Sequence, residues 1–164
     1  NTLARKKLKT QRRLQVELTA RKSFTHSSTL RKTIQVGWTV LPRALRVRLE
    51  HRYRVISVSV SIIGKTKMHK LNLQTRGKDR PTDVLAFSQL EGALPPSGLL
   101  HLGDIVICDA VARSQAKAYQ APLKEELQRL AAHGFLHLMG YDHEKSQKEA
   151  TRMFRLQEKI LKTL

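Results

Sequence analysis

Two hydrophobic periods alternate along this chain, and the switches between them outline its elements. Residues 55–63 read V-I-S-V-S-V-S-I-I, a period-two alternation of β-branched residues and serines that predicts a strand with one buried face. Residues 14–18 alternate in the same way over a shorter stretch. Residues 82–87 and 100–108 are apolar and β-rich, the latter broken by Gly103 and Asp104. Elsewhere the spacing is helical. Leu30, Ile34, Trp38 and Leu41 line one face behind the capping chemistry of residues 25–28, and Leu45 and Leu49 continue it beyond Pro42, which kinks the helix or splits it. Met68, Leu71 and Leu73 mark a short helix over 65–75. A loop with Gly77 and Pro81 follows over 76–81, and a Gly- and Pro-rich loop spans 88–99.

The second half is mostly helical. Asp109 is placed to N-cap a helix reaching about residue 120. Pro122, with Glu125 and Glu126 behind it, suits the start of the next helix, which carries Leu127, Leu130, Ala131, Phe135 and Leu138 and stops at Gly140. A last helix over 146–161 has Ala150, Met153, Phe154, Leu156, Ile160 and Leu161 as its apolar stripe. This order predicts a small mixed four-stranded sheet covered by several helices.

Size and composition add limits. The 164 residues suit one domain, read as 14–164, preceded by a basic arm over 1–13 that is mobile or a frayed helix. No apolar run approaches a membrane span, and a single cysteine, Cys108, suits a reducing compartment. Charge changes the picture most. The chain carries +18, and residues 1–54 hold 15 basic side chains against Glu17 and Glu50 alone. A field that lopsided favours a polyanion, because each neutralised phosphate releases counterions. Arg5, Lys6, Lys7, Lys9, Arg12 and Arg13 are the first candidates to touch a nucleic acid.

The candidate chemistry lies in His133-Gly-Phe-Leu-His137-Leu-Met-Gly140-Tyr-Asp142-His143. His133 and His137 are four apart on a helix, so their rings leave one face together. Gly140 suits a left-handed helix stop, after which one short turn brings His143 to the same point. Three imidazoles hold a divalent metal and leave a position open, the pattern of a catalytic site. The first two histidines and the turn are similar to those of metzincin proteases. Gly134, however, stands where those enzymes carry their glutamate base.

The same residues resemble the YbeY family of ribosome-maturation endoribonucleases. H-G-F-L-H-L-M-G-Y-D-H matches the family signature. Residues 72–87, ending R-G-K-D-R-P-T-D-V-L-A-F, and Leu102-Gly-Asp-Ile-Val-Ile-Cys108 resemble two further blocks, in order, over about 55–164. The family usually has serine at the position of Ala86 and proline at that of Ser88. The resemblance implies an α+β fold and one divalent metal, zinc, on His133, His137 and His143, with Arg76 facing the metal cleft. It implies cleavage of single-stranded RNA in ribosomal RNA processing, at the 16S 3′ end, and in small-subunit quality control. Ribosomal RNA, the small subunit and its proteins would be the partners, in a bacterial cytoplasm or an organelle matrix.

In that mechanism Arg76 grips the phosphate while the metal at His133 activates the nucleophile, either water or the RNA 2′-hydroxyl. Asp142 orients a ligand imidazole from behind or closes the turn. Thr82 and Asp83 fix the loop before their strand, Cys108 is a buried small apolar residue, and His101 approaches the cleft without being a ligand. Two other readings stay open. One is a protease-like hydrolase on the same centre; the other is a non-catalytic ribosome-assembly factor whose metal steadies the fold.

Overall fold

The computed structural model describes residues 14–164; the basic arm over 1–13 lies outside them. The described residues form four strands, β1 (Gln15–Thr19), β2 (Tyr53–Ile63), β3 (Val84–Ser88) and β4 (Gly98–Cys108). They also form six helices, α1 (Ser27–Val40), α2 (Arg43–Arg52), α3 (Lys65–Arg76), α4 (Asp109–Ala118), α5 (Leu123–Leu138) and α6 (Gln147–Thr163). The sheet order is β1-β2-β4-β3. β1, β2 and β4 are parallel, and β3 runs antiparallel to β4 at the edge. The mixed four-stranded sheet covered by helices that the hydrophobic pattern predicts is therefore the one observed.

One face of the sheet carries the main core. Ile56, Val58 and Val60 of β2 and Leu100, Leu102, Ile105 and Ile107 of β4 pack with Leu30 and Ile34 of α1, Leu127, Leu130 and Phe135 of α5, and Met153 and Ile160 of α6. The opposite face is covered in part by α3, whose Met68 joins Leu85 and Cys108 in a smaller apolar cluster. Cys108 is fully buried there. Burying side chains of this size is the dominant favourable term, about 1.5–3 kcal/mol for each large one.

The structure decides one alternative the sequence leaves open, and three details differ from the sequence expectations. Pro42 splits rather than kinks its helix, because Leu41 and Pro42 both adopt extended ψ values of 154° and 128°. The residues before α1 supply no side-chain cap, and His26 occupies that position. Gly103 does not interrupt its strand. It forms a bulge that sets Ser57 against His101 but Ser59 against Asp104. The bulge changes the parity, so Leu102 and Ile105 face the same core three residues apart. Gly103 has φ +136, and a Cβ there would lie 2.1 Å from the Phe87 carbonyl oxygen, so only glycine fits. Finally, Asp109 does not cap α4. It is the first helical residue, and its carboxylate accepts from Arg21 Nη2 at 2.7 Å and Arg113 Nε at 3.0 Å.

Candidate metal centre

The centre is built on the exit of α5. Leu127, Leu130, Ala131, Gly134, Phe135 and Leu138 bury one side of that helix, which leaves His133 and His137 half-buried on its flank. The helix then ends in paired closing bonds: Tyr141 N donates to Leu136 O at 3.1 Å and Gly140 N to His137 O at 3.0 Å. Gly140 supplies the left-handed residue this stop demands, with φ +85. Tyr141 is buried and pins the chain after the turn. Asp142 Oδ1 accepts from Glu144 N at 2.9 Å, closing the next turn. His143 is thereby folded back onto the helix, where its ring stacks on Phe154 at 5.7 Å.

The three rings converge. Their centroids lie 4.7 Å (His133–His137), 5.2 Å (His133–His143) and 5.3 Å (His137–His143) apart. One nitrogen from each lies within 4.8 Å of the others. The Nε2 atoms of His133 and His137 are 3.1 Å apart. Two imidazole nitrogens each about 2.05 Å from a tetrahedral ion sit ~3.3 Å from one another, so the donor set fits one divalent metal.

Protonation favours the same use. Burial lowers the pKa of His133, against the opposing hydrogen bond to Gln157, and the nearby His143 lowers it further. Burial pushes His137 down to about 4, assisted by His133 and His143. Both rings are neutral at pH 7, with lone pairs available. Gln157 of α6 sets which nitrogen that is for His133: Nδ1–H donates to Gln157 Oε1 at 3.0 Å, leaving Nε2 bare.

The histidines form one wall of a cleft of about 360 Å³ that runs beside the β3 edge. Arg76 lines it with them, as do Lys78, Arg80 and Arg129. Arg76 is the last residue of α3 rather than a loop residue, and Gly77 with φ +65 turns the chain behind it. Asn72 Nδ2 donates to Arg80 O at 2.7 Å and fixes that turn. Arg129 makes a two-pronged pair with the buried Glu126, at 2.9 and 2.7 Å, and approaches Asp83 to 3.6 Å. Asp83 also accepts from Gln115, Val84 N and Thr82. Burial alone would raise its pKa; those bonds outweigh it and hold the carboxylate below the usual range.

Arg76, Asp142, His133, His137 and His143 thus share one cleft. His101 does not join them: it lies on β4 with Nδ1 3.0 Å from Ser57 Oγ and Nε2 3.6 Å from Asp104. The candidate RNA contacts Arg5, Lys6, Lys7, Lys9, Arg12 and Arg13 fall outside the described residues. Sequence reasoning missed Gln157 and Arg129. The i,i+3 spacing of Glu126 and Arg129 was a readable signal; nothing local marks Gln157. Gly134 also gains a physical reason. A Cβ there would lie 2.9 Å from Ile105 Cγ2, so no carboxylate side chain has room at that position.

The fold and site together define a small α+β protein with a three-histidine cluster that could hold a metal ion, open to a basic cleft. The family model described as Endoribonuclease YbeY matches residues 15–164, and the chain belongs to that family. Its relatives include Endoribonuclease YbeY of Thermodesulfovibrio yellowstonii, 49% identical over 107 residues, covering 65% of this chain and 66% of that protein. Endoribonuclease YbeY of Bacillus subtilis is 42% identical over 114 residues, covering 63% and 69%. A Thermotoga maritima protein solved in solution superposes with a TM-score of 0.56 at 26% identity, covering 90% of this chain and 86% of that one.

Proposed function

We propose that this chain is a metal-dependent endoribonuclease that cuts single-stranded RNA during ribosomal RNA processing, at the 16S 3′ end and in small-subunit quality control. The observation that carries the reading is the convergence of three imidazoles within 4.8 Å on the wall of a cleft shared with Arg76. Family membership supports the activity. The ligands are His133, His137 and His143, and the all-imidazole donor set suits zinc. When bound, such an ion supplies Lewis acidity and water acidified toward neutral pH.

The chain's own residues do the rest. Gln157 holds the His133 tautomer. Arg76, exposed at its helix end, grips two phosphate oxygens and offsets charge that grows on them. Arg129 is held back by Glu126 and lends its field to the same wall. Asp142 keeps the turn that delivers His143. The partners are ribosomal RNA and the small subunit with its proteins. The bacterial cytoplasm is the compartment, with an organelle matrix as the other setting that suits the single cysteine. Among the described residues no helix is long and apolar enough to cross a membrane.

Two variants test the reading on purified, metal-loaded protein with single-stranded RNA. His137→Ala is expected to lose both metal, by elemental analysis, and cleavage. Arg76→Ala is expected to keep the metal and lose cleavage. Cleavage by both variants at the parental rate refutes the assignment.

A further inference from the structure

A second cavity, of about 740 Å³, opens where β1, β2 and β4 end. These three strands are parallel, so their carboxyl ends meet at one place, the usual position for ligands on parallel sheets. Its walls include Arg21, Ile63, Gly64, Lys65, Lys67, Asp109 and Arg113. Four cations therefore face one carboxylate. That carboxylate is buried, and it braces two of the cations: Asp109 holds Arg21 at 2.7 Å and Arg113 at 3.0 Å, while the two arginine side chains stay 65% and 52% exposed. Lys65 and Lys67 are exposed, and the first turn of α3 carries no acid. The bracing matters, because a guanidinium fixed by a buried partner gives up less freedom when it meets an anion.

The cavity is also tied to the cleft. α3 begins at Lys65, on the cavity wall, and ends at Arg76, on the cleft wall. Its 12 residues make it about 18 Å long. The exposed Lys70 lies between the two ends. On the neighbouring helix, Arg113 lines the cavity, and Gln115, two residues on, donates to Asp83 at the cleft, at 3.1 Å.

We infer that this cavity is a phosphate-binding subsite for the same RNA strand, a few nucleotides from the bond that is cut, reached by a strand laid along α3. The inference rests on the ribonuclease reading. Phosphate is the chemistry that suits two fixed guanidinium groups and two lysines, and a strand leaving a basic cleft carries one at every nucleotide.

The test is a charge-reversed double variant, Lys65→Glu with Lys67→Glu. Both side chains are exposed, so the fold is expected to survive, and a thermal melt checks this. Metal-loaded parent and variant are compared on single-stranded RNAs of graded length, with dissociation constants from fluorescence anisotropy and KM and kcat from cleavage. For long strands, KM and the dissociation constant are expected to rise several-fold with kcat unchanged. For strands short enough to fill the cleft alone, neither should move. On the long strand, the slope of log affinity against log salt should fall by about 0.7 for each phosphate that the variant no longer neutralises. Equal losses at every length would assign the effect to the general field of the protein and overturn the subsite, as would no loss at all. Inorganic phosphate and a nucleoside monophosphate serve as competitors. If either binds the parent as tightly as the long strand does, the cavity takes a free anion and the strand path is wrong. A parent that cleaves no RNA yet shows the length-dependent binding would sink the ribonuclease reading and leave the subsite standing.

Discussion

Replacing Gly134 by alanine adds one methyl group where α5 packs closely on the sheet. Two effects oppose each other. Alanine favours the helix over glycine by about 1 kcal/mol. The new Cβ, however, lies 2.9 Å from Ile105 Cγ2, 3.4 Å from Val84 Cγ2 and 3.5 Å from Ile105 Cγ1. Ile105 cannot retreat. It is fully buried and β-branched, and its strand is paired on both sides. Overpacking of this kind costs about 1–3 kcal/mol, so the net is a destabilisation of up to ~2 kcal/mol. For a domain of this size that lowers Tm by up to roughly 8 °C. The strain also reaches the histidine cluster. α5 relieves the contact by lifting from the sheet and carries His133 and His137 with it, while the His143 ring is held by its stacking on Phe154 of α6. Metal affinity is therefore expected to fall along with Tm. Calorimetry of the metal-free protein and competition with a chromophoric chelator read the two effects separately. A Tm equal to or above the parental value would show that helix propensity outweighs the contact and refute the reasoning.

Two further perturbations follow from the same geometry. Gln157→Leu removes the acceptor of His133 Nδ1–H. It is expected to weaken metal binding about 10–100-fold, while Gln157→Glu, which still accepts, keeps most of the affinity. The nitrogen chemical shifts of His133 should show mixed tautomers in the leucine variant; a single tautomer with unchanged affinity would exclude the role. Stability of the metal-free protein should fall on acidification. An unfolded histidine takes its proton near pH 6.5, whereas His137 in the fold takes it only at about 4. The unfolded chain therefore binds more protons between these values. The contribution of His137 is complete above about pH 6.5 and is lost as pH falls toward 4. Discounted for a half-open ring, it is ~1–2 kcal/mol. Denaturant melts from pH 8 to 5 check it: the slope should be shallower in His137→Ala, and an equal slope in both proteins would refute it.

What the sequence made legible was local. The serine and β-branched alternation of β2 needs only its own period to be read. The three histidines are placed by one helix, one left-handed glycine and one short turn, all inside eleven consecutive residues. The bulge at Gly103 was legible in principle. Leu100 and Leu102 sit at even positions and Ile105 and Ile107 at odd ones, a parity change that a continuous strand can make only by a bulge. Reading the glycine as a break hid it.

What was not legible depends on partners far along the chain. Asp109 stands where a helix cap belongs, and its own neighbours argue for that role. The Arg21 guanidinium, 88 residues away, claims the carboxylate instead. A charge-assisted pair with a buried carboxylate is worth more than an N-terminal cap bond, so the distant partner wins. Gln157 is the same case at the metal centre: an ordinary glutamine on an amphipathic helix until α6 crosses α5 and sets it against His133, 24 residues earlier. The ligands of a metal site on one helix and turn are therefore written in adjacent residues. The groups that orient those ligands are chosen by tertiary packing, and the energetic reason for them exists only once the helices have met. That is why Gln157, rather than another histidine, is the residue whose substitution best separates a centre that merely gathers imidazoles from one built to hold an ion.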